Sequence, residues 1–279
     1  MTFGFDRIFK VTGGKMAAIA LFFVMAGATG SCTSEANNGL SIVWAQVPKA
    51  DMGGCTIPGT RGMTYLPNGT LDVGLDQAYP YKLYPLVENN LFKAQSMMVE
   101  YNTIRVTGSD VKLVPPPGVT FKPDPGCPAE FFHPNPLSID PAGEAAIGVE
   151  AIKPCHVPVL RKMFGVAKPA GLSPAQSAFE IFTAVVRVRG VHGGTEIVSE
   201  AFEFPIRVCL GCLQTGFTLK GFEDLGYPNV ADCRNLLDNP YTGNPCNIAQ
   251  DFGPILCCSP DGTKEKIECP GLARGEEQP

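Results

Sequence analysis

Residues 200–208 read Glu-Ala-Phe-Glu-Phe-Pro-Ile-Arg-Val, and this stretch decides the fold class. Phe202, Phe204, Ile206 and Val208 fall on one parity; Glu203, Arg207 and the following Cys209 fall on the other. A period of two with one apolar side belongs to a half-buried β-strand, because successive side chains of a strand point to opposite faces. Upstream, Ile181 to Val188 is rich in β-branched residues and alternates again, with Ala184, Val186 and Val188 opposite Val185, Arg187 and Arg189. His192-Gly193-Gly194 between the two runs is turn chemistry. Two antiparallel strands with one wet face are therefore expected at the centre of the fold.

The same pattern continues towards the N-terminus. Tyr79 to Val87 alternates, and Pro80 and Pro85, which lack amide donors, place it at an edge or a bulge. Val99 to Val114 alternates on both sides of Gly108-Ser109-Asp110, which predicts a strand-turn-strand unit. Tyr65 to Val73 brackets Asn68-Gly69, the dipeptide favoured by type I′ hairpin turns, and reads as a hairpin. Leu40 to Val47 is a short apolar run containing Trp44. Residues 115–158 differ: they hold eleven prolines, including Pro115-Pro116-Pro117, and read as a long Pro-rich loop with Cys127 and Cys155 near its ends. Val159 to Phe164 fits one short helical turn. Many short strands, frequent turn signals and no long helix predict a mainly β protein, an antiparallel Ig-like β-sandwich over residues 40–208. An open barrel is the alternative.

After Cys209 the periodicity stops. Cys209, Cys212, Cys233, Cys246, Cys257, Cys258 and Cys269 crowd into residues 209–270, among turn residues such as Gly243-Asn244-Pro245 and Pro260-Asp261-Gly262. So short a segment buries little core and needs staples, so a small disulfide-rich module is expected there, with a disordered tail at 271–279. Cys209 lies on the polar parity of its strand and is expected to face that module. Counting constrains the pairing. Cys55, Cys127 and Cys155 precede residue 208 and seven cysteines follow it. Both numbers are odd, so full pairing requires a bridge between the two parts. Pairing Cys127 with Cys155 staples the Pro-rich loop and leaves Cys55 for the C-terminal segment.

The eleventh cysteine, Cys32, directly follows an N-terminal leader. Arg7, Lys10 and Lys15 precede the apolar run Met16 to Met25, the layout of an export signal over residues 1–31. Ten residues span about half of a bilayer core, too little for a membrane-crossing helix. Ala26-Gly27-Ala28 fits an ordinary signal peptidase, whereas Thr29-Gly30-Ser31-Cys32 resembles a bacterial lipobox whose cysteine takes the lipid. Assigning Cys32 to a lipid makes the remaining cysteines even in number. Residues 32–39 would then be a tether. No Asp follows Cys32, which by resemblance to enteric lipoproteins favours the outer membrane; the alternative is a periplasmic or secreted protein.

Composition closes off other classes. The chain of 279 residues has 31 Gly and 26 Pro, 18% charged residues and a formal net charge of −5. That excludes a disordered polar chain and a helical bundle. Cleavage of the leader leaves 19 Lys plus Arg against 26 Asp plus Glu, a formal charge of −7. A chain so acidic, without a basic cluster, is not built for nucleic acid.

Motifs for chemistry are few. Cys209-Leu210-Gly211-Cys212 is a CxxC, but a redox CxxC starts a helix and the following Gly216 to Gly221 reads as extended. Leu213 in place of His excludes covalent haem attachment. Four thiolates from Cys209, Cys212, Cys257 and Cys258 could hold zinc, yet vicinal cysteines seldom share an ion and an exported chain favours disulfides. His133 and His156 read as a loop residue and the rim of a disulfide, and His192 as a turn residue. Asp238, Asn239 and Asp261 lie in turns without the register of a calcium loop. No GxSxG, HExxH, P-loop or GxGxxG occurs. No cofactor and no metal follow from the sequence.

The FEFPIRV strand, the CLGCL after it, the later NPCN and the vicinal Cys257-Cys258 together resemble cysteine-rich predicted lipoproteins of gliding soil bacteria. The resemblance spans residues 70–270 and implies localisation and architecture, and no activity. The expectation is a non-catalytic cell-envelope lipoprotein, anchored to the membrane by lipid, with a structural or binding role towards an envelope protein or polysaccharide. The competing expectation is an extracytoplasmic thiol-disulfide oxidoreductase acting through Cys209 and Cys212.

Overall fold

The computed structural model describes residues 39–51, 54–75, 77–93, 102–164, 179–217, 246–247, 249–251 and 255–258. The expected leader and tail, the tether apart from Gly39, and Cys32, Cys233 and Cys269 lie outside them. The EAFEFPIRV stretch forms β14 (Phe202–Cys209), and the run before it forms β12 (Phe179–His192). They pair antiparallel from Phe179↔Cys209 to Val186↔Phe202. Ala184, Val186, Val188, Phe204, Ile206 and Val208 are all buried, as the alternation requires. β13 (Thr195–Val198) folds back on β12 through Gly193 and Gly194, whose φ of +55° and +84° suit a tight hairpin that residues with a Cβ resist.

β12 is central to the larger sheet. On its other side runs β8 (Ile104–Val114), then β9 (Glu130–Ile139); beyond β14 lies β5 (Gly69–Asp72), which joins in parallel. The second sheet holds, in order, β10 (Glu144–Ala146), β7 (Pro85–Asn89), β1 (Leu40–Gln46) and β4 (Tyr65–Leu66). β6 (Tyr81–Leu83) and β11 (Val149–Ile152) form a two-stranded sheet. β2 (Lys49–Asp51) pairs with β3 (Gly54–Thr56), and β15 (Gln214–Phe217) pairs in parallel with β16 (Ile255–Cys258). A 3₁₀ turn at Pro154–His156 leads into α1 (Val157–Met163).

The two larger sheets enclose an apolar core in two regions. One gathers Tyr81, Phe182, Phe204, Ile206, Leu160 and Ile152; the other gathers Leu40, Val87, Ile104, Ile139 and Ile147. Full burial of side chains of this size stabilises by ~1.5–3 kcal/mol each before chain entropy is counted. Asn89, fully buried, ties the layers: its Nδ2 donates to Asn102 O at 2.8 Å and Ile139 O at 2.9 Å, and its Oδ1 accepts from Leu91 N at 3.0 Å. The protein is thus mainly β with a sandwich architecture. Among the described residues no helix is long and apolar enough to cross a membrane.

Four local expectations are corrected. Tyr65 to Val73 is not a hairpin: β4 pairs with β1, β5 pairs with β14, and the chain crosses between sheets at Asn68. Gly69 lacks a positive φ; its value is space, because a Cβ there would overlap the Tyr81 hydroxyl. Gly108 to Asp110 do not turn; they lie inside β8, whose eleven residues pair through a register shift near Gly108. Within the Pro-rich stretch, residues 115–129 connect, but β9, β10 and β11 occupy most of the chain from Glu130 to Ile152. Pro134 and Pro136 are accommodated because β9 is the sheet's edge, where one row of amides has no ladder partner. Consequently His133 is a strand residue, in register with Ser109, and not a loop residue.

Candidate functional sites

Three disulfides fall among the described residues: Cys55–Cys246, Cys127–Cys155 and Cys209–Cys212. Cys127–Cys155 closes the proline-rich connection. Cys55–Cys246 links β3 to the C-terminal segment across 191 positions.

The CxxC is built into the floor of the sandwich edge. Cys209 ends β14, is fully buried, and places its Sγ 3.5 Å from Leu71 O; Cys212 is 7% exposed. Cys209 keeps the outward parity, yet the turn that follows folds back and covers it, so the position is dry. Asp72, itself buried, organises that turn. Its carboxylate accepts from Gly74 N at 2.8 Å, Gly211 N at 2.7 Å and Leu213 N at 3.0 Å. Gly211 at φ +76° lets its amide point inward. Both sulfurs are joined and buried, and a strand, β15, follows them in place of the helix a redox CxxC opens.

Cys127 and Cys155 lie beside His156, with three ligand atoms within 4.8 Å of one another. The disulfide occupies both sulfurs. His156 Nδ1 accepts from Lys153 N at 3.2 Å, which assigns the proton to Nε2, 3.1 Å from both Cys127 O and Pro128 O. Both ring nitrogens are committed, and burial lowers the imidazole pKa. His156 adjoins the disulfide, as expected, and is fully buried, between Phe121 and Phe131. The arrangement orders a loop, and it leaves no free donor for an ion. His192 closes the β12–β13 end, with Nε2 3.3 Å from Asn102 Oδ1.

Two clusters carry no signal in the sequence. The first is a clasp formed by residues 246, 247 and 249–251. Gln250 bridges to Leu71; Ala249 O accepts from Asp72 N at 2.8 Å, and Asp251 N donates to Thr70 O at 2.9 Å. The Gln250 amide exchanges two hydrogen bonds with the backbone of Lys82, at 2.8 and 2.9 Å. Asp251 Oδ1 accepts from Thr70 N and from the Tyr81 hydroxyl, each at 2.8 Å. The clasp therefore covers the β5 edge and stitches β5 to β6. Burial pushes the Asp251 carboxyl up to about 6, against its hydrogen bonds, and raises the Tyr81 phenol well above its usual range. The second cluster joins Trp44, Arg61, Glu88 and Glu144 on the face of the smaller sheet turned away from the core. These residues lie up to 100 positions apart, so only tertiary structure assembles them.

Cys257 and Cys258 lie on β16. Asp238, Asn239 and Asp261 lie outside the described residues.

No family model and no curated protein matches the chain. Among solved structures, one provisionally assigned to the late embryogenesis abundant (LEA) proteins, a solution structure, is similar over 52% of this chain and 68% of that chain. Its identity is 12% and its TM-score 0.26, values at which the likeness carries no argument about function.

Proposed function

We propose that the chain is a non-catalytic lipoprotein of the bacterial cell envelope, anchored through Cys32, in which a disulfide-stapled sandwich serves a structural or binding role. The observation that carries this reading is the disposal of the cysteines. Cys55–Cys246 and Cys127–Cys155 restrain loops, and Cys209–Cys212 is buried against Leu71 and an acidic residue. A thiol-disulfide enzyme needs an accessible sulfur with thiolate character; a bridge in this setting favours a staple over the oxidoreductase reading. The leader and the Thr29-Gly30-Ser31-Cys32 sequence support export and lipidation. Acyl chains contribute ~0.8 kcal/mol per buried CH₂, enough for stable anchoring when several are attached.

Fractionation with labelled fatty acid tests the anchor. The full chain should carry label and enter the detergent phase, and Cys32→Ser should lose both. A mature N-terminus at Thr29, the product of the ordinary peptidase, would refute it. The outer membrane is the expected destination, with a periplasmic or secreted protein as the alternative outcome.

A further inference from the structure

The face of the smaller sheet that points away from the core is covered by its own chain. Ala45 enters the core, so Trp44 and Gln46 on either side of it point outward. Trp44 stacks on Tyr65, with ring centroids 5.7 Å apart and planes 21° from parallel. Glu88 and Glu144 are direct cross-strand partners, an arrangement in which like charges repel. Residues 57–64 lie over this face. The Arg61 guanidinium sits 5.9 Å from the Trp44 ring centroid, donates through Nη2 to Glu88 at 2.7 Å and through Nε to Glu144, and the Arg61 amide donates to Glu144 at 2.9 Å. Thr60 O accepts from Gln46 Nε2 at 2.8 Å.

Two buried atoms beneath this covering have no partner among the described residues: Trp44 Nε1, a donor, and Gln46 Oε1, an acceptor. Gln46 is 0% exposed. Buried polar atoms are nearly always paired, so adjacent orphans mark a place where a complement is missing.

We propose that this face binds a cationic peptide segment, and that residues 57–64 fill the site as an internal stand-in, with Arg61 in the place of the ligand's arginine. A planar guanidinium held by two carboxylates above an indole is a recognition geometry for arginine. A peptide bond supplies the two groups the stand-in fails to deliver, a carbonyl for Trp44 Nε1 and an amide proton for Gln46 Oε1. The covering can swing aside: among the described residues nothing lies within 4 Å of the position a Cβ would take on Gly59, Met63 is fully exposed, and the Cys55–Cys246 bridge retains its base. The formal charge of −7 after leader removal steers cations towards the molecule. Competition from Arg61 lowers the apparent affinity by the fraction of time the site is open. This inference deepens the binding role proposed above and rests on it.

Trp44 is the only tryptophan, so its fluorescence reads the site directly. The full chain in detergent is titrated with N-acetyl-argininamide and with its uncharged counterpart N-acetyl-citrullinamide. Arg61→Ala should show a saturable emission change with the arginine compound, at least about tenfold tighter than the unmodified chain, because the internal competitor is gone. The citrulline compound should give none, and adding Glu88→Gln and Glu144→Gln should abolish the response. A folded Arg61→Ala chain that shows no saturable change, or responds equally to citrulline, overturns the proposal. If Arg61→Ala does not fold, the unmodified chain is titrated with triarginine and tricitrulline: a response to triarginine alone supports the site, and no response overturns it. A response to a neutral oligosaccharide with none to triarginine also overturns it. Failure here leaves the fatty-acid labelling and fractionation result unaffected, so the two readings fail separately.

Discussion

Asp251 holds an acidic side chain in a half-buried, left-handed position, with φ +61° and bonds to Thr70, Tyr81 and Gln250. Its folded pKa of about 6 exceeds the ordinary value of 3.8, so the native state binds its proton more tightly than the unfolded chain does. The sign follows: this residue's contribution is most favourable below pH 4 and is lost as pH rises from about 4 to about 6, by on the order of 2–3 kcal/mol. Asp251→Asn removes the titration, and Asn tolerates positive φ. The variant should be more stable than the parent at pH 7 by about 1–2 kcal/mol and lose that advantage by pH 4, as read by urea unfolding at both pH values. A constant difference across that range would rule out Asp251 as the source. Gly69 is the steric counterpart. Gly69→Ala should destabilise by about 3 kcal/mol, because the new methyl overlaps the Tyr81 hydroxyl and displaces it from Asp251. Adding Tyr81→Phe, which removes that hydroxyl, should restore part of the loss.

At the scale of elements, the clasp and the proline-rich connection both depend on covalent closure. Cys55–Cys246 spans 191 positions and Cys127–Cys155 spans 28. On the chain-entropy model these closures stabilise by about 5 and about 3–4 kcal/mol, respectively. Replacing Cys55 and Cys246 together by Ala should therefore cost more than replacing Cys127 and Cys155, and amide exchange at Gln250 and Asp251 should quicken before exchange in β12. Equal losses from the two pairs would show that the longer loop is already restrained in the unfolded chain. The edge strand β9 shows the same dependence on context. Its alternating exposure and its Pro134 and Pro136 are compatible with strand only because β8 pairs with one side and nothing needs the other. Its sequence alone reads as loop.

For the whole molecule, burial sets the order in which bridges meet solvent. Cys55 is exposed, whereas Cys209 is fully buried and Cys212 nearly so. Cys155 is exposed as well, so limited reduction with alkylation and mass mapping should label the Cys55–Cys246 and Cys127–Cys155 pairs first, and Cys209 and Cys212 only when the sandwich opens. Early labelling of Cys209 and Cys212 in the native protein would favour the oxidoreductase reading.

The sequence by itself determined the β class, the inward faces of β12 and β14, the glycine hairpin at residues 193–194, and the pairing of Cys127 with Cys155. These rest on local rules: side-chain parity, turn dihedrals and the closure of one loop. Tertiary structure alone decided that Asn68-Gly69 crosses between sheets, that Gly108 lies within a strand, and that Gln250 completes the pairing of Lys82 from 168 positions away. It also decided where Trp44, Arg61, Glu88 and Glu144 meet. No periodicity encodes such contacts. They follow from which edges remain unpaired once the sheets form and from the cost of leaving buried polar groups without partners, and both are properties of the assembled layers.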